Sequence, residues 1–107
     1  MIETSDLPHP AREDLVLTQV LFALSDPARL EIVRQLDAGP LEMAQCCLQD
    51  PTMPKSTKSH LMKVLREAGV IRNEVKGRGR LLSLRREDVE SRFPGLLESI
   101  LKAPVGR

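Results

Sequence analysis

A chain of 107 residues with a formal net charge of +1 holds one compact domain and is too short for two. Phe22 and Phe93 are its only aromatics, so the core must be built from Leu, Val, Ile, Ala and Met, which argues against an aromatic-rich β-sandwich and for packed helices. No apolar stretch approaches a membrane span, and "MIETSDLPHPARED" lacks the basic-then-apolar order of a secretion signal, so the expected location is the cytoplasm, with no membrane partner.

Residues 1–11, with Pro8, His9 and Pro10, read as a flexible N-terminal arm, and order is expected from Arg12. In "REDLVLTQVLFALSD", Leu15, Val16, Val20, Leu21 (or Phe22) and Leu24 lie near helical spacing, with Glu13 and Asp14 placed to favour the dipole of a first helix. "SDPARLEIVRQLDAG" predicts a second helix, capped by Asp26, opened by Pro27, striped by Leu30, Ile32, Val33 and Leu36, and ended by Gly39. "PLEMAQCCLQ" predicts a short third helix with Leu41, Ala44 and Cys47 or Leu48 on one side, before the loop "QDPTMP".

The next helix opens at Pro54. Leu61, Met62, Leu65 and Ala68 form its buried stripe and Gly69 its C-terminal cap. Its first turns carry Lys55, Ser56, Thr57, Ser59 and His60, short donors and acceptors that suit base edges and phosphates, and Lys63 and Arg66 add charge. Two apolar or alternating runs, Val70 to Val75 and Leu81 to Leu84, flank "KGRGR", which predicts a β-hairpin whose basic tip offers Lys76, Arg78 and Arg80 to phosphates. A last helix starting at Arg86 or Glu87 is interrupted near Pro94 and Gly95, and its Leu96, Leu97, Ile100 and Leu101 need a partner, either the core or a dimer seam. A C-terminal tail, 104–107, follows the domain at 12–103.

The small net charge conceals a segregation. Residues 55–86 hold ten Lys and Arg against Glu67 and Glu74, a local +8, which leaves −7 for the rest. A dipolar chain of this kind suits a polyanion on one face, whereas the plainer account is a solvated helix face. The order of helices and basic hairpin is that of a mainly α, single-domain winged helix-turn-helix.

"ALSDPARLEIVRQL", "KSTKSHLMKVLREAGVI" and "VKGRGRLLSLRR" together resemble the ArsR/SmtB family of bacterial winged-helix repressors. The resemblance implies double-stranded DNA as partner, with Ser56, Ser59 and His60 in the major groove and the basic residues of the wing on the backbone. It also implies a homodimer, built from the first and last helices (Leu15, Leu96, Leu97, Ile100, Leu101), on a pseudo-palindromic operator, and a bacterial cytoplasm. Two positions depart from the usual pattern: Lys58 stands where many relatives are apolar, and Leu61 where many have His or Gln.

Metal-sensing members carry Cys-x-Cys on the third helix or a His and carboxylate set on the last, and this chain has neither, so no metal or cofactor is expected. Cys46 and Cys47 are adjacent, about 100° apart around a helix, and cannot face one metal together. They read as a buried thiol and its half-exposed neighbour, with a thiol-based redox or thiophilic-metal switch as the sharper alternative. No nucleophile-and-base pattern or P-loop points to an enzyme. The expected function is a DNA-binding repressor that occludes a promoter and responds to a small-molecule effector; a protein-binding winged helix without DNA contact is the alternative.

Overall fold

The computed structural model of the chain describes residues 7–43 and 52–103. Its elements in chain order are a 3₁₀ turn at Arg12–Asp14, α1 at Leu17–Ala23, α2 at Pro27–Asp37, β1 at Leu41–Glu42, α3 at Lys55–Glu67, β2 at Ile71–Lys76, β3 at Gly79–Leu84, α4 at Arg86–Arg92 and α5 at Leu96–Lys102. The sheet is antiparallel with order β1-β3-β2, so the five α-helices of the described residues carry a small wing, the expected winged helix-turn-helix architecture. No described helix is long and apolar enough to cross a membrane.

Local signals account for α2 and α3. Asp26 Oδ2 accepts from the Ala28 and Arg29 N–H groups at 2.9 and 3.0 Å, and Pro27 fills the first helical position, where no N–H is needed. At the far end of α3, Gly69 N–H donates to Arg66 O and Val70 N–H to Leu65 O, the paired bonds of a Schellman motif, with Gly69 at φ +86°. A Cβ at Gly69 would also overlap Leu15 Cδ2.

The hairpin is longer than its apolar runs suggested, because the strands continue into the basic tip until Lys76 pairs with Gly79. Only Gly77 and Arg78 remain as the loop; Gly77 has φ +58°, and Arg78, like the other described non-glycine residues, does not have positive φ, which is the type II′ pattern. The expected interruption after α4 is present: Gly95 adopts φ +84°, and the Glu90 carboxylate accepts from Gly95 and Glu98 N–H at 2.7 and 3.0 Å, capping α5.

Three expectations are corrected. The first helix begins at Leu17, not near Arg12, because Leu15 and Val16 are extended and the Leu15 carbonyl accepts from Arg92 Nη2 at 3.0 Å instead of from a following helical N–H. Leu41 and Glu42 form β1 against Leu82 and Leu81 rather than opening a helix; Ala44, Cys46, Cys47 and Leu48 lie outside the described residues. Leu7 to Ala11 are not a loose arm, since His9, Pro8 and Pro10 each hydrogen-bond to the body of the domain.

The core joins Val20, Ala23 and Leu24 with Ile32, Val33 and Leu36 from α2, Leu61, Met62 and Leu65 from α3, Ile71 and Leu82 from the sheet, and Val89 from α4. Leu15 and Leu97, expected at a dimer seam, belong to this core at 2% and 0% exposure, while Leu96, Ile100 and Leu101 pack against it partly buried. The outward apolar residues of the first helix are instead Leu17, Leu21 and Phe22, preceded by Val16. Gly69→Ala should lower stability by about 1–3 kcal/mol from the left-handed backbone alone, and by more through the Leu15 clash, read as a reduced denaturant midpoint with helix content retained before the transition.

Candidate nucleic-acid interface

Helix α3 separates its residues by chemistry. Leu61, Met62 and Leu65 enter the core, and this fixes the rotation of the helix, so that Lys55, Ser56, Thr57, Ser59, His60 and Lys63 are all exposed. Lys58 is half-buried. In α3 the only carboxylate is at the last residue, Glu67, so the outer surface of its first three turns is cationic and polar throughout. Leu61, one of the two positions that depart from the pattern of the resemblance, is among the residues that anchor the helix.

Arg66 does not join that surface. It is 6% exposed, and its Nη1 donates to the Pro8 carbonyl at 2.6 Å, so its charge holds the N-terminal segment instead of facing solvent. The wing divides its basic residues similarly. Arg78 stands exposed at the tip; Lys76 is exposed and pairs with Glu42 of β1 at 3.9 Å. Arg80 is half-buried, with Nε donating to Asn73 Oδ1 at 2.5 Å and Nη2 to Asn73 O at 3.0 Å. Between α3 and the wing lies a crevice of about 200 Å³, lined by Ser59, Met62, Lys63, Arg66, Asn73 and Arg80.

Sequence reasoning missed the N-terminal strap that closes one side of this crevice. His9 Nε2 accepts the Asn73 N–H at 3.0 Å, Pro8 O accepts from Arg66, and Pro10 O accepts from Arg85 Nη1 at 2.7 Å. Asn73 carried a usable signal, because a polar residue at the inward register position between Ile71 and Val75 breaks the apolar alternation of β2. His9 carried none, since its partner is distant in the chain.

His9 must be neutral at Nε2 to accept that bond. Burial lowers its pKa, the Arg66 and Arg85 charges lower it further, Glu74 opposes them and Arg72 adds to them. Among the described residues, no group of three His, Cys, Asp or Glu side chains gathers as a metal site.

No family model matches the chain. Over 89 residues it is 33% identical to the uncharacterized HTH-type transcriptional regulator YceK of Bacillus subtilis (strain 168), a match covering 82% of this chain and 89% of that protein. Among solved structures, the crystal structure of an ArsR family transcriptional regulator matches with a TM-score of 0.63 at 26% identity, over 78% of this chain and 90% of the other.

Because folding depresses the His9 pKa below its ordinary value of 6.5, the unfolded chain takes the proton more readily. The stability contributed by neutral His9 is therefore complete above 6.5 and is lost as pH falls through the lower folded value. Urea midpoints compared at about pH 7.5 and about pH 5 should fall more for the native chain than for His9→Gln, which keeps an acceptor but cannot titrate. An equal fall in both would remove His9 as the cause.

Proposed function

The chain belongs to the ArsR family of HTH-type transcriptional regulators, and on that premise we propose that it is a repressor which binds a pseudo-palindromic operator as a homodimer. One observation carries the DNA-binding reading: the outer face of α3 presents Lys55, Ser56, Thr57, Ser59, His60 and Lys63 together, with the exposed wing tip Arg78 beyond it. Short hydroxyl and imidazole groups on a helix of this diameter suit base edges in the major groove, and the lysines suit flanking phosphates.

Ser59 and His60 are assigned to base readout, with Ser56 and Thr57 beside them. Lys55, Lys63, Lys76 and Arg78 are assigned to phosphates, and Arg80 to the shape of the wing as well as its charge. Arg66 is omitted, because its guanidinium is buried against Pro8. The protein acts by occupancy in the bacterial cytoplasm rather than by catalysis: a dimer with half-sites about 34 Å apart covers a promoter until an effector changes its geometry.

Homodimerisation is assigned to the first and last helices, through a different set of side chains from that expected. Leu17 and Leu21 are one helical turn apart on α1 and 43% exposed each, and Leu96, Ile100 and Leu101 of the last helix are only partly covered by the chain's own core. Burial of these faces against a second copy removes apolar surface from water at about 25 cal/mol per Å².

Fluorescence anisotropy tests the DNA assignments, with a duplex from upstream of the protein's own gene and a scrambled duplex, each titrated across salt. Arg78→Ala should weaken binding to both duplexes and reduce the salt slope by about one. Ser59→Ala or His60→Ala should cost about 1–3 kcal/mol on the native duplex and little on the scrambled one. Absence of binding to either duplex at low salt would replace this function with protein recognition by the same fold. Sedimentation should show a dimer for the native chain and a folded monomer for Leu21→Glu, whose target is exposed and makes no demand on the core.

A further inference from the structure

Where the 3₁₀ turn, the wing and α4 meet, one carboxylate faces three guanidinium groups. Asp88 Oδ1 accepts from Arg12 Nε at 2.7 Å, Oδ2 accepts from Arg85 Nε at 2.8 Å, and Arg72 Nη2 lies 3.5 Å from the same Oδ2. The Asp88 side chain is 12% exposed, and burial pushes its carboxyl upward; the hydrogen bonds and charges of Arg12 and Arg85 outweigh this and leave it below the ordinary carboxylate value.

The three arginines are not equivalent. Arg85 is committed to the fold, buried with Nε on Asp88 and Nη1 on the Pro10 carbonyl. Arg12 and Arg72 have side chains 49% and 45% exposed, and both line a crevice of about 370 Å³ together with Arg86, Glu87 and Asp88. Arg86 has its own partner in Asp37 of α2, and Glu87 is exposed. A single carboxylate cannot neutralise Arg12, Arg72 and Arg85 together, and like charges held this close favour a second anion. Planar guanidinium forks donate to phosphate oxygens in pairs, and two of them open on the same crevice.

We propose that this crevice is an oxyanion-binding site that takes a phosphate-type group between Arg12 and Arg72, with the Arg85–Asp88 pair as its fixed floor. The phosphate comes either from a free phosphorylated compound or from the backbone of bound DNA, and only the second source rests on the proposed DNA-binding function. A purely structural clamp would serve without any further anion. Occupancy would join β2 of the wing to the segment that precedes α1, since Arg72 and Arg12 belong to those two elements.

Two measurements on the full chain test the site. In the first, inorganic phosphate is titrated against the native chain, Arg72→Ala and Arg72→Lys at constant ionic strength, with chloride as the balancing anion, and backbone amide shifts are followed by NMR. Saturable shifts around Arg72 and Asp88, at least tenfold weaker in Arg72→Ala and partly restored in Arg72→Lys, establish a site for free phosphate. In the second, the salt dependence of duplex binding is compared for the same variants, and a slope lower by about one in Arg72→Ala assigns the phosphate to DNA. Unsaturable shifts that match chloride, together with an unchanged salt slope, overturn the proposal. Failure of the native chain to bind any duplex would refute the DNA-binding function and leave the phosphate titration to decide the site alone. Thermal melts guard against an unfolded Arg72→Ala, whose target side chain is half exposed and makes the longest of the three contacts to Asp88.

Discussion

Donation from arginine to main-chain carbonyls is the interaction on which this domain depends. Among the described residues six side chains do it: Arg29 to Ala23 and Phe22, Arg34 to Leu101 and Ala103, Arg66 to Pro8, Arg80 to Asn73, Arg85 to Pro10, and Arg92 to Leu15. Most of these acceptors lie at the ends of short elements, where carbonyls have no following N–H in the same helix or strand. A small domain with two phenylalanines lacks the apolar area to cover such ends, and one long planar donor can satisfy two of them at once. Each charge-assisted bond is worth about 1.5–3 kcal/mol where it is shielded from water. Arg29 also lies over the Phe22 ring at 5.1 Å, so the same residue joins α2 to α1 by hydrogen bonds and by a cation–π contact.

The same use of arginine changes the meaning of the charge segregation. Of the ten cations in residues 55–86, Arg66 and Arg85 are buried on carbonyls, Arg80 is held by Asn73, Arg86 by Asp37, and Arg72 faces Asp88. The exposed remainder is mostly lysine: Lys55, Lys63 and Lys76, with Arg78 at the wing tip. On the proposed DNA-binding function, a face of lysines and short hydroxyls would meet phosphate as point charges and leave discrimination to the short polar groups beside them. Arg66, Arg80, Arg85 and Arg86 are instead occupied in holding the fold together.

What was legible in the sequence was whatever a local rule decides. The Asp26-Pro27 start, the Gly69 stop, the glycine-bearing wing tip and the break at Gly95 are each settled within a few residues, by capping, by positive φ or by the loss of an N–H. Contacts between residues far apart in the chain decided the rest. Leu15 reads as the start of an amphipathic helix, but its carbonyl is taken by Arg92 and its side chain by the space above Gly69. Leu97 reads as part of an unpartnered stripe, yet the break at Gly95 turns α5 so that this residue enters the core. Leu41 and Glu42 follow a proline that suits a helix start, and pairing with β3 overrides that preference, as sheet context commonly does with short segments.

Asn73 connects the parts whose relative placement matters for a regulator. Its N–H is taken by His9, its side-chain oxygen and its carbonyl by Arg80, so the strap and the basic strand of the wing share one residue of β2. Through Arg66 the same strap is tied to α3, because Pro8 and His9 are consecutive and cannot move independently. The angle between α3 and the wing is therefore set by the strap as well as by the core beneath them. Protonation of His9 removes the acceptor for Asn73 and places a cation near Arg66 and Arg85, and both effects act to lift the strap from the wing. An element held by three hydrogen bonds over a packed core opens before the core does, so opening of the strap releases one of the restraints on the wing while the core beneath it stays packed.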